Sequence, residues 1–128
     1  MYRRALAATA VTAALVFTGS TAFAASTSTK LSNGRLYFEA LHGSVVDGNP
    51  TKWYGTTQYE KTGGSAVNIT LEMYTSNGLY KDRSQSISKG QKKGKTWVVA
   101  RSSDPACSAK GIMAADTGTY ETPTVHFC

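Results

Sequence analysis

The chain has 128 residues, of which 41% are hydrophobic and 17% are charged, and its formal net charge is +6. This length is enough for one compact domain and excludes two domains of ordinary size. The positive charge favours weak contact with anionic surfaces such as a cell wall, and it is too modest to predict a nucleic-acid partner.

The first 24 residues have the pattern of a cleavable secretory signal. A basic start at Met1–Arg4 precedes an uncharged, Ala-rich stretch at Ala5–Phe17, and small residues follow at Ala22–Ala24. This pattern predicts cleavage before Ala25, because the apolar stretch is shorter than the roughly 18 residues that a membrane span requires. We therefore expect a secreted, extracellular protein without a membrane span, free in the medium or held at the cell or spore surface. Cleavage would also remove two arginines and lower the net charge from +6 to +4.

The only two cysteines, Cys107 and Cys128, both lie in the predicted exported part. Thiols outside the cytoplasm are normally oxidised, and an even pair in a small secreted domain predicts a disulfide. The bridge would tie the last residue to the domain and contribute about 3 kcal/mol by restricting the unfolded chain. A redox pair or a metal site is disfavoured, because the spacing lacks a CxxC motif and further ligands are missing.

Residues 25–34 form a polar segment, for which we expect an extended or mobile arm. Residues 35–128 read as a single β domain, in which apolar residues alternate with polar ones and turn-forming residues are frequent. The segments that predict strands are residues 35–42, 52–61, 66–75, 79–88, 96–101, 111–115 and 119–128. Six or seven short strands without a convincing helix predict an all-β fold, a small antiparallel β-sandwich or barrel with one disulfide.

The clearest of these strands, residues 66–75, is followed by Asn77-Gly78, the preferred pair for a two-residue hairpin turn. With these two residues as the loop, Arg83 lies opposite Glu72. Ile87 then falls on the wrong face, so the returning strand either contains a bulge or is a poorly covered edge strand.

No arrangement of residues predicts catalysis. The two histidines, His42 and His126, lie outside any recognisable nucleophile motif, and the acidic residues fall in turns and on outward strand positions. The sequence contains no zinc-ligand spacing, EF-hand loop, P-loop or dinucleotide-binding fingerprint. We therefore predict that the protein is not an enzyme and that it uses neither a metal nor a cofactor.

Two groups of side chains, besides the arm, are candidates for binding a partner. Lys89–Lys95 is a basic loop, which either contacts phosphate, cell-wall polymer or an acidic protein patch, or only solubilises a hairpin tip. Adjacent Trp53 and Tyr54 cannot both point inward in a strand covered on one side, and exposed residues of these types are enriched in binding sites. The candidate partner-binding residues are Lys30, Leu31, Arg35, Trp53, Tyr54, Lys89, Lys92, Lys93 and Lys95.

The leader RRALAATAVTAALVFTGSTAFA resembles the leaders of secreted actinobacterial proteins, especially those of Streptomyces. The rest of the chain, a polar amino-terminal arm, a one-disulfide β domain and a terminal cysteine, resembles the small secreted adaptor subunits of streptomycete umbrella toxin particles. That resemblance implies a non-enzymatic β domain that docks on a large toxin subunit while a lectin-bearing, trypsin-like partner holds its arm. It covers size and layout, without a specific motif, and therefore assigns no role to individual residues.

The favoured hypothesis is a secreted, non-catalytic adaptor that joins extracellular protein partners, with an antibacterial toxin complex as its setting. Its basis is the lack of a catalytic constellation in the sequence, the expected arm, and an edge strand open to β-augmentation. One alternative is a structural protein of the spore or cell envelope, a class that is also similar in outline. The other is a secreted protease inhibitor, although one disulfide gives little of the rigidity that an inhibitory loop needs.

Overall fold

The computed structural model describes residues 23–128, so the predicted secretory signal lies outside the described residues except for Phe23 and Ala24. The described part contains ten strands and one short helix, α1 (Gly43–Val46). The strands are β1 (Ala24–Leu31), β2 (Gly34–His42), β3 (Lys52–Lys61), β4 (Val67–Thr75), β5 (Leu79–Lys81), β6 (Gln85–Ile87), β7 (Lys92–Ala100), β8 (Ser108–Ala115), β9 (Gly118–Glu121) and β10 (Val125–His126). Across residues 23–128, no helix is long and apolar enough to cross a membrane.

The strands form two antiparallel sheets that pack as a sandwich, which confirms the predicted all-β fold. The first sheet has the strand order β1-β2-β3-β7. The second sheet has the order β10-β8-β4-β5, and in addition β6 pairs with β4 and β9 pairs with β8. The predicted count of six or seven strands is wrong, because β1 precedes them and two of the predicted strands are each divided into two.

Strict alternation along β2 and β3 places one row of each strand between the sheets. The predicted inward residues of β2, namely Leu36, Phe38 and Ala40, are buried. The buried apolar residues form two clusters, each of which would contribute about 1.5–3 kcal/mol per fully buried large side chain. The first cluster includes Phe38, Trp53, Met73, Val99 and Phe127. The second includes Leu36, Tyr59, Ile69, Leu71, Ile87 and Met113.

The polar segment at residues 25–34 is not a separate arm. We expected an extended or mobile arm. The segment is extended, but its strand β1 pairs with β2 over the whole length of β1. The Thr29 hydroxyl donates to the main-chain oxygen of Glu121 at 2.8 Å, and Arg35 Nη1 donates to Ser28 Oγ at 2.9 Å. Serine and threonine therefore mark an edge strand here, since their hydroxyls find partners on both neighbouring elements. The β domain begins at Ala24 and not at residue 35.

The hairpin after β4 turns one residue earlier than predicted, at Ser76-Asn77. The Thr75 N–H donates to the main-chain oxygen of Gly78 at 2.9 Å, and the Asn77 N–H donates to Thr75 Oγ1 at 3.2 Å. Gly78 does not have a positive φ, so the left-handed conformation that favours an Asn-Gly turn is not used. The Thr75 side chain stabilises the alternative turn.

The register of the returning strand changes accordingly. Glu72 lies opposite Lys81, and the predicted pairing of Glu72 with Arg83 is wrong. A break between β5 and β6 then shifts the register by one residue, so that Ile87 lies opposite Val67 and is completely buried. Of the two alternatives, the bulge is the correct one.

Strand β7 is longer than predicted and is not a buried strand. It begins at Lys92, within the predicted lysine loop, and forms one edge of the first sheet. Val99 is buried and Trp97 is half-buried, whereas Val98 is 57% exposed on the outer face. An edge position explains this exposure, because only part of one face of the strand is covered by the second sheet.

Cys107 and Cys128 form the predicted disulfide, with their Cα atoms 5.6 Å apart. Cys107 has a φ of 52°, which is a left-handed conformation that residues other than glycine seldom adopt. The Phe127 N–H donates to the main-chain oxygen of Cys107 at 3.1 Å, and the Phe127 ring packs 4.7 Å from the ring of Trp53. The carboxyl terminus is therefore attached by a covalent bond, a hydrogen bond and a buried aromatic contact.

Candidate binding surfaces

The outer face of the first sheet brings together cations that are far apart in the sequence. The ladder places Lys30 opposite Arg35, Arg35 opposite Glu60, and Glu60 opposite Lys92. These four residues, the basic row, cross all four strands at the end of the sheet that carries Lys89. The pKa of the neighbouring Tyr37 is raised by burial and then by the charge of Glu60, whose Oε1 lies 3.5 Å from the Tyr37 hydroxyl. Lys30 and Arg35 thus share one surface with Lys92 of the lysine loop.

The opposite end of the same face carries a row of uncharged residues beside the Lys52–Asp47 ion pair. The ladder aligns Ala24 with Leu41, Leu41 with Tyr54, and Tyr54 with Val98, and we call these four residues the apolar row. The Tyr54 hydroxyl donates to Asp47 Oδ2 at 2.7 Å, and this hydrogen bond is the main reason why the pKa of Asp47 is lowered. Tyr54 is therefore the outward member of the Trp53-Tyr54 pair, as the alternation requires.

Two of the predicted partner-binding residues pack against the core and do not form an exposed surface. Trp53 is completely buried in the first core cluster, and its Nε1 donates to the main-chain oxygen of Asp104 at 3.3 Å. Leu31 is half-buried and packs against the second core cluster at the end of β1. Both were assigned to surface contact from residue type alone, and the sandwich instead uses them for packing.

The edge of β7 has two halves of different character. Lys92, Lys93 and Lys95 occupy the first half, and Lys93 and Lys95 lie on the side of the strand that faces the second sheet, opposite Tyr59 and Thr57. Charges at such positions prevent unspecific pairing of an edge strand. The second half, residues 96–100, carries no charge and includes exposed Val98. In the described structure β7 pairs with β3 alone, so alternate main-chain groups of this half point to the open side.

A pocket of about 80 Å³ opens between the two sheets at the end where the basic row lies. It lies next to the lysine loop, because the Gly90 N–H donates to the main-chain oxygen of Lys61 at 2.8 Å and the Lys61 N–H donates to that of Gln91 at 3.0 Å. We call it the end pocket, and its lining residues are Leu31, Ser32, Asn33, Tyr59, Lys61, Val67, Met113, Ala115, Thr117 and Tyr120.

His42 contacts a serine and an arginine at the other end of the sandwich. Its Nδ1 lies 2.7 Å from Ser44 Oγ, and its Nε2 lies 3.3 Å from Nη1 of Arg101. In a hydrolytic triad a carboxylate stabilises the protonated ring that forms when the serine is deprotonated. Here a guanidinium, which can only donate, occupies that place instead of a carboxylate. The geometry is that of a buried histidine at the start of α1, where Nδ1 lies beside both the hydroxyl and the N–H of Ser44.

Asp104 corrects the expectation that the acidic residues lie in solvated positions. Only 1% of Asp104 is exposed, and neither carboxylate oxygen has a hydrogen-bond partner. The Asp104-Pro105 pair does form a turn, but the turn folds inward under Trp53. An unpaired carboxylate in such a position is costly.

Sequence reasoning missed the end pocket, and in particular Lys61 and Tyr120. A signal for Lys61 was present, because the period of two that places Trp53 and Tyr59 inward also places Lys61 inward. Tyr120 reaches the pocket only because β9 folds back on β8, which no local pattern indicates.

The chain matches no model of a protein family, and it has no significant match among curated proteins or among solved structures.

Proposed function

We propose that the chain is a secreted, non-catalytic adaptor that binds an extended segment of a protein partner along the uncharged half of β7. The observation that carries the proposal is the uncharged strand edge at residues 96–100, which includes exposed Val98 and has no strand on its open side in the described structure. Such an edge offers main-chain donors and acceptors to an added strand, while alternate side chains provide specificity.

The distribution of charge along β7 indicates which partner segment would fit this edge. Lys92, Lys93 and Lys95 lie at one end of the strand, whereas Trp97 and Val98 lie towards the other. A segment with carboxylates at one end and apolar side chains at the other would match both halves in a single orientation. Complementary charges of this kind mainly increase the association rate and fix the register.

The surroundings of His42 do not favour a hydrolytic role for Ser44, since a guanidinium and not a carboxylate lies at Nε2. Leu41 and Tyr54 of the apolar row, which cleavage before Ala25 would leave in place, lie next to the proposed edge and would extend the contact beyond main-chain hydrogen bonds. The part of the layout that still resembles toxin-particle adaptors, a one-disulfide β domain with a terminal cysteine, suggests an antibacterial toxin complex as the setting in which the partner is sought.

Affinity capture from the culture supernatant of the producing cells tests this proposal. The baits are the wild-type protein, Val98→Lys and Thr119→Lys, where the last variant adds the same charge at an exposed position of β9. We expect a stoichiometric partner with the wild type and with Thr119→Lys, and its loss with Val98→Lys. Recovery of the bait alone, or equal capture by all three baits, would contradict the proposal. A homodimer that Val98→Lys disrupts would assign the edge to a second copy and would also contradict it.

The two tryptophans provide an independent measurement. Trp53 is completely buried, whereas Trp97 is half-buried on β7, so acrylamide quenching of the free protein reports mainly on Trp97. Binding of a partner strand at this edge should reduce the quenching. A captured partner that leaves it unchanged binds elsewhere.

A further inference from the structure

A lysine occupies a position between the sheets where a neutral side chain is expected. Lys61 is the last member of the inward row of β3 and is only 2% exposed. The ammonium group is strongly hydrated, and burying it is costly unless an anion or several acceptors compensate its charge. Lys61 lines the end pocket, so its function should be sought in what binds in this pocket.

The described chain supplies no counter-charge to Lys61. The ion pairs among residues 23–128 are Lys52–Asp47 and Lys110–Glu121. None of the residues that line the end pocket is acidic. Asp116 lies next to two of them in the sequence, but its Oδ2 accepts the Asn68 N–H at 2.9 Å. The pocket is thus cationic.

The tyrosines give the pocket neutral hydroxyl groups. Tyr59 is 3% exposed, and burial followed by the nearby Tyr120 raises its pKa, so its hydroxyl remains protonated at neutral pH and able to donate. The Tyr120 hydroxyl lies 3.0 Å from Thr117 Oγ1, which fixes its ring at the pocket wall. A cation with a neighbouring hydroxyl donor is a suitable arrangement for a carboxylate.

The size and the remaining lining limit what such an anion can carry. A volume of about 80 Å³ holds about three waters at roughly 30 Å³ each, so only a small group such as a carboxylate with a short chain fits. Leu31, Val67, Met113 and Ala115 provide apolar contact. The basic row and Lys89 lie at the same end of the sandwich, and their field raises the local concentration of anions.

We propose that the end pocket binds a small carboxylate with a short apolar chain, with Lys61 as the counter-charge. The carboxylate pairs with the Lys61 ammonium and accepts a hydrogen bond from Tyr59, while the chain contacts Leu31 and Met113. Two sources have this chemistry, a free short-chain acid and the carboxyl-terminal residue of a peptide. The site is separate from the edge of β7, so neither proposal depends on the other.

Titration followed by amide NMR shifts of the disulfide-bonded protein tests the proposal. The probes are sodium butyrate, acetyl-Gly-Val with a free carboxyl terminus, and the same dipeptide with an amidated terminus. We expect saturable shifts at Lys61, Val67, Met113 and Tyr120, with at least about tenfold weaker binding of the amidated peptide. Tighter binding of the free peptide than of butyrate would identify a peptide terminus as the source, and the reverse would identify a free acid. Equal binding of the amidated peptide, or an equal response to inorganic phosphate at the same ionic strength, would overturn the proposal.

Matched lysine variants assign the counter-charge. Lys61→Met keeps the length of the apolar stem and removes the charge, and Lys89→Met makes the same change at an exposed turn nearby. We expect a loss of affinity of about tenfold or more in Lys61→Met and less than about twofold in Lys89→Met. Equal losses of affinity in the two variants would mean that the ligand responds only to the overall positive charge, which would contradict the proposal. Should Lys61→Met not fold, Tyr59→Phe removes only the hydroxyl, and unchanged affinity in that variant would contradict the proposed binding mode.

Discussion

Replacing Gly34 by alanine tests how closely β2 and β3 approach each other beside the end pocket. A Cβ at this position would overlap the main-chain oxygen of Glu60 and would lie 2.8 Å from the hydroxyl oxygen and 2.9 Å from Cε1 of Tyr59. Because one of these groups is backbone and Tyr59 is buried, neither can move aside without disturbing the pairing of the two strands.

The expected effect is a net destabilisation. Overpacking in a close-packed region typically costs about 1–3 kcal/mol, whereas replacing a glycine in a strand by alanine regains about 0.5–1 kcal/mol of backbone entropy. We expect the free energy of unfolding to fall by about 1–2 kcal/mol, which lowers the Tm of a domain of this size by roughly 5–15 °C. Displacement of Tyr59 should also lower the affinity of the end pocket for any ligand.

Thermal unfolding of the disulfide-bonded protein, followed by far-ultraviolet circular dichroism, measures this difference. Gly94→Ala is the matched control, because Gly94 also faces β3 in the first sheet but its added Cβ would meet Gln58 and Thr57 at an ordinary 3.6 Å. We expect the control to have an unchanged or slightly raised Tm. Equal Tm values for the two variants would refute the close approach at Gly34.

Three further changes have expected outcomes. Asp104→Asn removes a buried charge without partners, so chemical denaturation at neutral pH should show a gain of about 1–2 kcal/mol in the free energy of unfolding; a loss would mean that the carboxylate has a favourable partner. Replacing Cys107 and Cys128 by alanine should lower that free energy by about 3 kcal/mol in the same assay, and an unchanged value would show that the bridge does not restrict the unfolded chain. The raised pKa of Tyr59 means that the folded state binds its proton more tightly, so its contribution to stability is complete below pH 10.0, the ordinary value, and is lost as the pH rises further. Tyr59→Phe should therefore unfold less steeply in alkali, and an identical alkaline profile would count against burial as the cause.

The parts of the fold that follow from local patterns were predicted from the sequence. The period of two fixed the inward faces of β2 and β4, and the two cysteines had only one possible intramolecular pairing. Local rules also required one of Trp53 and Tyr54 to face outward, but they did not group Lys30 and Arg35 with Lys92. That grouping depends on strand order, because β7 joins β3 only after the chain has built the middle of the second sheet.

The errors came from residues whose type fits two environments. Ser and Thr in β1 suit a solvated coil and an edge strand equally well, and only the pairing with β2 decides between them. Asn77-Gly78 suits a tight turn, but the hydroxyl of Thr75 stabilises a different one. Asp104 precedes a proline, as many exposed turns do, and its burial depends on the packing of Trp53 against the terminal segment. The end pocket was unpredictable as a cavity, since it lies where elements from both sheets meet.

The pairing of β1 has a consequence for the order of events during biogenesis. The bond predicted to be cleaved joins Ala24 to Ala25, and both residues are part of the ladder with β2, opposite Leu41 and Ala40. Phe23 continues this contact, because its main-chain oxygen accepts the His42 N–H at 2.7 Å. A peptidase needs its substrate strand free, so cleavage at this bond would have to precede closure of the β1–β2 hairpin, and a chain that folded first would keep its first 24 residues. Cleavage at this bond would also delete one hydrogen bond from the end of the ladder and uncover the His42 ring, so the cleaved chain would start with a shorter first strand.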